Sequence, residues 1–186
     1  MYNYIGKSWR KPERETVHGR LIAWRAGEAA VKVEKPIRLD RARTLGYKAK
    51  VGFVVLRIRL RRGGRQRPRH THGRKSRKQH VRKVLKMNYK WVAEIRAEKK
   101  YPNLRVLNSY PIGRDGKYYF YEVIMVDPSK PEIKSDKNIN WIVSDKNKNR
   151  AQRGLTSSAK KSRGLRSKSH SLKVRPSLRA WGRKGK

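Results

Sequence analysis

Residues 51–62 read VGFVVLRIRLRR. Val54, Leu56, Ile58 and Leu60 alternate with Arg57, Arg59 and Arg61, the period of two that a half-buried strand requires. One face of that strand belongs to a core, and the other is a row of guanidinium groups. Gly63-Gly64 ends the run, and Pro68 with the Arg, His and Lys residues through His80 extends it as a long basic loop.

Working outward from the loop, Val81, Val84, Leu85, Val92 and Ile95 recur at helical intervals before Lys99-Lys100 and Pro102, which predicts an amphipathic helix over residues 81–99. Leu104 to Ile112 and Tyr118 to Val126 read as a hairpin turned at Gly113-Arg114-Asp115-Gly116. Its second strand is apolar on both faces and is expected at the centre of the sheet. Residues 12–24 suggest a short helix and residues 138–143 one further turn. The expected fold class is α+β, a small, mostly antiparallel sheet covered by helices, with a long basic loop and an extended basic C-terminal tail.

Charge divides the chain more sharply than apolar content does. Of 186 residues, 52 are Lys or Arg and 13 are Asp or Glu, a net charge of +39. Residues 41–93 hold 19 basic side chains and no acid, and residues 146–186 hold 15 and no acid, so these two segments carry +34 of the +39. The other 92 residues net only +5, the balance of an ordinary soluble domain. Residues 61–80 contain no Leu, Ile, Val or Phe and residues 146–186 contain five, so neither stretch is expected to bury a core. The reading is a small α/β RNA-binding domain over residues 1–145, including the basic loop 63–80, followed by an extended basic tail over residues 146–186. Self-repulsion at this charge calls for a polyanionic partner, with nucleic acid first.

Several chemistries are excluded or disfavoured. There is no cysteine, hence no disulfide scaffold, zinc ribbon or thiolate catalyst. No run approaches the roughly 20 apolar residues of a membrane span, and the start lacks the apolar stretch of a signal peptide. His70, His72 and His80 sit among cations that repel a divalent ion, so no metal is expected. Gly63-Gly64-Arg65 lacks the spacing of a phosphate-binding loop. Glu94 and Glu98, flanked by Arg96, Lys99 and Lys100, read as surface ion-pair partners on the predicted helix. No catalytic constellation or cofactor motif emerges, and the chain is not expected to be an enzyme.

The residues from Arg41 to Pro68, RARTLGYKAKVGFVVLRIRLRRGGRQRP, closely resemble the archaeal and eukaryotic large-subunit ribosomal protein family numbered fifteen, the type with no bacterial counterpart. Tyr4-Ile5 with Trp9-Arg10-Lys11, NLRVLNSY at residues 103–110, Glu122-Val123-Ile124 with Asp127-Pro128, and RGLTSSAKKSRGL at residues 153–165 match it in order. The ending RPSLRAWGRKGK is of the archaeal manner. The resemblance implies a structural constituent of the large ribosomal subunit in the cytoplasm, with large-subunit RNA and neighbouring ribosomal proteins as partners, and neither a membrane nor a small-molecule substrate. It implies RNA contacts at Arg41, Arg43, Lys48, Lys50, Arg57, Arg59, Arg61, Arg62, Arg65, Arg67 and Arg69. In the loop they continue at Arg74, Lys75, Arg77, Lys78 and Arg82, and in the tail at Arg150, Arg153, Lys160, Lys161, Arg163, Arg166, Lys168, Arg175 and Arg179. The alternative reading is a non-ribosomal nucleic-acid-binding protein, an RNA chaperone or a DNA compactor.

Overall fold

The computed structural model describes residues 2–66, 73, 82–83 and 85–166, with only the backbone described at 65–66 and 82–83. Its centre is an antiparallel hairpin of β5 (Arg105–Arg114) and β6 (Tyr118–Val126). The turn is set by Asp115, whose Oδ1 accepts from the amides of Lys117 at 2.8 Å and Tyr118 at 2.5 Å, the short-range bonding that makes Asp a turn residue. On its other side β6 pairs with β2 (Phe53–Arg61), which in turn pairs with β1 (Ala30–Val33), giving the antiparallel order β1-β2-β6-β5. The doubly apolar strand is central, as expected, and Pro111 lies in the edge strand β5, where its missing N–H costs least.

The sheet is covered on both faces. Leu56, Ile58 and Leu60 of β2 join Val106, Val123 and Met125 under α4 (Tyr89–Lys100), which contributes Ala93 and Ala97. On the opposite face Val55, Tyr110, Phe120 and Ile124 pack against Leu21 and Trp24 of α2 (Arg14–Ala26) and Ala42 of α3 (Leu39–Thr44). α2 approaches so closely that a Cβ on Gly113 would lie 3.2 Å from the Trp24 ring and 3.3 Å from Leu21. A satellite cluster of Val126, Ile133, Ile139 and Ile142 forms beneath α5 (Pro131–Lys134) and the 3-10 turn Asn140–Val143. Gly52 makes room for it: its φ is +92°, and a Cβ there would meet Ile133 at 2.5 Å. At the start of the chain, α1 (Tyr2–Ser8) lies against α3.

Three expectations are corrected. The helix predicted over 81–99 begins only at Tyr89, because the Asn88 side chain accepts from the Trp91 amide at 2.8 Å and caps it. Arg82–Lys83 instead form β4, antiparallel to β3 (Arg65–Gln66), so the basic loop leaves and re-enters the domain as a two-stranded ribbon. Second, residues 146–166 are not an extended tail. Asp145–Asn147 form a 3-10 turn, α6 (Ser157–Ser162) follows with Thr156 as its cap, and Ala151, Thr156, Ser158 and Ala159 are buried.

The third correction explains the second. Glu94 and Glu98 are fully buried rather than surface ion-pair partners. Glu94 accepts from the hydroxyls of Ser109 at 2.5 Å, Thr156 at 2.6 Å and Ser158 at 2.5 Å. Glu98 accepts from the amides of Ala151 at 3.3 Å and Gln152 at 3.0 Å. The segment after Asp145 docks through small side chains and hydrogen bonds to two buried carboxylates, which a count of Leu, Ile, Val and Phe does not register.

Candidate nucleic-acid interface

The arginine row of β2 is not one uniform solvent-facing ladder. Arg57 stands opposite Glu122 in the β2–β6 register, and its guanidinium lies 5.3 Å from the Trp24 ring centroid. Burial lowers its pKa, and the Glu122 charge acts in the opposite direction. Arg59 stacks 5.0 Å from the Tyr118 ring and donates to the Arg25 carbonyl. Arg62 stacks 4.8 Å from Tyr119 and donates to the Asp115 carbonyl at 2.5 Å. Arg61, the last residue of β2, is exposed, unlike the half-buried Arg57 and Arg59. Cation–ring contacts of this kind hold a guanidinium against the protein without using up its N–H donors.

Lys48 and Lys50 converge on Asp136, at 2.6 and 2.7 Å, and Lys50 also donates to the Glu132 carbonyl at 3.0 Å. These two bonds, with one from the Asn138 amide, hold the Asp136 carboxyl well below the usual carboxylate range. Arg41 and Arg43 project from the exposed side of α3.

In the C-terminal part, Arg150 is turned inward. Its Nη1 donates to the carbonyls of Val106 at 2.8 Å and Leu107 at 3.0 Å, and its plane stacks 4.9 Å from Trp141. Arg163 is likewise engaged, donating to the Gly154 carbonyl at 3.0 Å, and Arg153 bonds the carbonyls of Lys148 and Lys146. Lys160, Lys161 and Arg166 face solvent. Arg65 and Arg82 belong to the paired ribbon, whereas Arg67, Arg69, Arg74, Lys75, Arg77, Lys78, Lys168, Arg175 and Arg179 lie outside the described residues.

The fold gathers cations that are far apart in sequence. Burial pushes the Lys90 ammonium below its ordinary pKa; Glu94 opposes this, and Arg41, Lys161 and Arg166 add to it from α3, α6 and the turn beyond. Lys90 was not among the sequence candidates, although it lies in the acid-free stretch 41–93. Burial of Glu94, Glu98 and Glu122 also removes three of the 13 acids from the surface, leaving it more uniformly positive than composition suggests. Such a surface fits a polyanion far better than a small neutral ligand.

A protein-family model described as Ribosomal L15, of the e type, matches residues 1–181 of the chain.

Proposed function

This chain belongs to the Ribosomal L15e family, and on that premise we propose that it binds and stabilises large-subunit ribosomal RNA by neutralising phosphates and carrying basic segments between RNA helices. The family is one of structural, non-enzymatic proteins of the large ribosomal subunit, and its members are RNA-binding components of translation. Large-subunit RNA and ribosomal proteins are accordingly its partners. Among the described residues no helix is long and apolar enough to cross a membrane.

The observation that carries the mechanism is the placement of charge. Acid-free residues 41–93 run through the arginine strand and the ribbon that carries the basic loop, and acid-free residues 146–186 begin with the segment that docks on Glu94 and Glu98 of α4. In this reading Arg61, Lys160, Lys161 and Arg166 meet phosphates directly, together with the loop and tail arginines. Arg57, Arg150 and Arg163 act instead as internal tethers that shape the surface. The folded unit extends to Arg166, with the basic tail following it, and the protein works in the cytoplasm on the ribosome without catalysing a reaction.

Sedimentation of a lysate with and without ribonuclease tests the assignment. The chain is expected to run with large subunits and to leave that fraction when RNA is digested. Persistence in a small, ribonuclease-insensitive complex would point to the non-ribosomal alternative.

A further inference from the structure

The helix α1 buries none of its seven residues, and a helix this short does not persist on propensity alone. It is held by α3 and by cation–ring stacking. Arg43 stands 5.4 Å from the Tyr2 centroid, and Arg38 and Arg20 stand 5.2 and 5.7 Å from the Trp9 centroid. Between α1 and α3 opens a cavity of about 540 Å³ whose walls include Tyr2, Trp9, Arg10, Arg38 and Arg41. Its one carboxylate, Asp40, is already bonded to Arg38 at 3.2 Å. Three guanidinium groups against one acid leave the cavity net positive.

The volume lies in the range that accepts small organic ligands. The wall chemistry narrows the class. An inorganic anion uses the arginines but not the rings, and an apolar side chain uses the rings but leaves the arginines unmatched. A divalent cation finds one carboxylate, already paired. A nucleotide uses everything present, because a planar base stacks on aromatic rings and guanidinium planes alike while its phosphate takes arginine donors in pairs.

We propose that this cavity receives one unstacked nucleotide of an RNA chain, with the base against the Trp9 and Tyr2 side and the flanking phosphates on Arg10 and Arg41. The proposal rests on the RNA-binding reading above and adds to it a site that the charge map does not mark. Arg10 and Arg38 both lie outside the two acid-free segments.

The test uses the full chain and two probes of equal phosphate number at one fixed salt concentration, a single-stranded oligoadenylate and a blunt RNA duplex. For Trp9→Ala, binding of the single strand is expected to weaken about tenfold, the usual scale for losing a base–aromatic stack, with the duplex unaffected. Trp9→Phe keeps a ring in place and is expected to retain most of the affinity. The fluorescence of Trp9, read as wild type minus Trp9→Phe, is expected to be quenched by the single strand only. An unchanged single-strand affinity in Trp9→Ala, equal weakening on both probes, or a loss in Trp9→Phe as large as in Trp9→Ala overturns the nucleotide site. Failure of the wild type to bind either probe in a salt-dependent way overturns the RNA reading beneath it instead.

Discussion

Glu94 and Thr156, 62 residues apart in the chain, share a buried hydrogen bond of 2.6 Å. With Ser109 and Ser158 on the same carboxylate, Glu94 joins α4, the edge strand β5 and the start of α6 at one point. Glu94→Ala leaves three buried hydroxyls without their acceptor and is expected to cost about 3 kcal/mol, read from urea unfolding. Glu94→Gln is expected to cost less. Amide exchange between Ala151 and Ser162 is expected to rise more than exchange in β6; equal acceleration in both would show that the segment is not clasped by this residue.

Protease access gives a second check on the same docking. In the isolated protein without RNA, tryptic cleavage after Arg150 is expected to be slow, since that side chain bonds two β5 carbonyls. Glu98→Ala removes the acceptor of the Ala151 and Gln152 amides and is expected to expose the site. Rapid cleavage of the wild type there would mean that residues 146–166 do not stay folded on the domain.

Glu122 is buried in the central strand, accepting from the Tyr110 hydroxyl at 2.5 Å and the Ile37 amide at 3.1 Å. Burial raises its pKa above the ordinary 4.5, and the Tyr110 and backbone hydrogen bonds offset only part of the rise. The folded state therefore holds this proton at pH values where the unfolded chain has released it. Its contribution to stability is present at low pH and declines as pH rises from about 4.5 through the folded value. The difference in urea midpoint between the wild type and Glu122→Gln is expected to shift in favour of the variant across that window. A constant difference from pH 4 to pH 8 would count against a raised pKa.

Asp136 behaves in the opposite sense. With its pKa depressed by Lys48 and Lys50, its contribution is complete above its ordinary value of 3.8 and is lost as pH falls below it. It also occupies two lysines expected to meet RNA. Asp136→Asn is expected to free them and steepen the log–log salt dependence of RNA binding by about 0.7–0.9 for each new phosphate contact. An unchanged slope would place Lys48 and Lys50 off the RNA surface.

Arg57 and Arg61 are predicted to separate stability from binding. Arg57→Ala strips the stack on Trp24 and is expected to lower the thermal midpoint with little change in salt slope. Arg61→Ala, on an exposed side chain, is expected to reduce the salt slope by about one contact and leave the midpoint in place. The reverse pattern would exchange their roles.

The sheet was legible because its signals are local. Alternation in β2, an Asp-containing turn between two apolar runs, and an all-apolar strand read through directly to pairing and position. What eluded sequence reading depends on distant partners. α1 and α3 carry too few apolar residues to announce themselves, and β1 has only four residues, paired to β2. Glu94 and Glu98 look like surface charges because the hydroxyls and amides that satisfy them lie between Ser109 and Ser158. The basic segments were legible as charge but not as geometry. Nothing in the spacing of Arg57 or Arg150 tells that one lies on a tryptophan ring and the other holds backbone carbonyls.

The buried carboxylates of α4 bear on when the protein finishes folding. The partners of Glu94 in α6, Thr156 and Ser158, follow it by 62 and 64 residues. While the polypeptide is being made, the sheet and α4 can assemble from residues already present, but Glu94 and Glu98 remain open to water. Closure waits until residues 151–158 have been made. The nascent chain thus passes through a stage in which two acids that the finished fold hides stand exposed next to the basic stretch 41–93, and docking of residues 151–158 takes them off the surface.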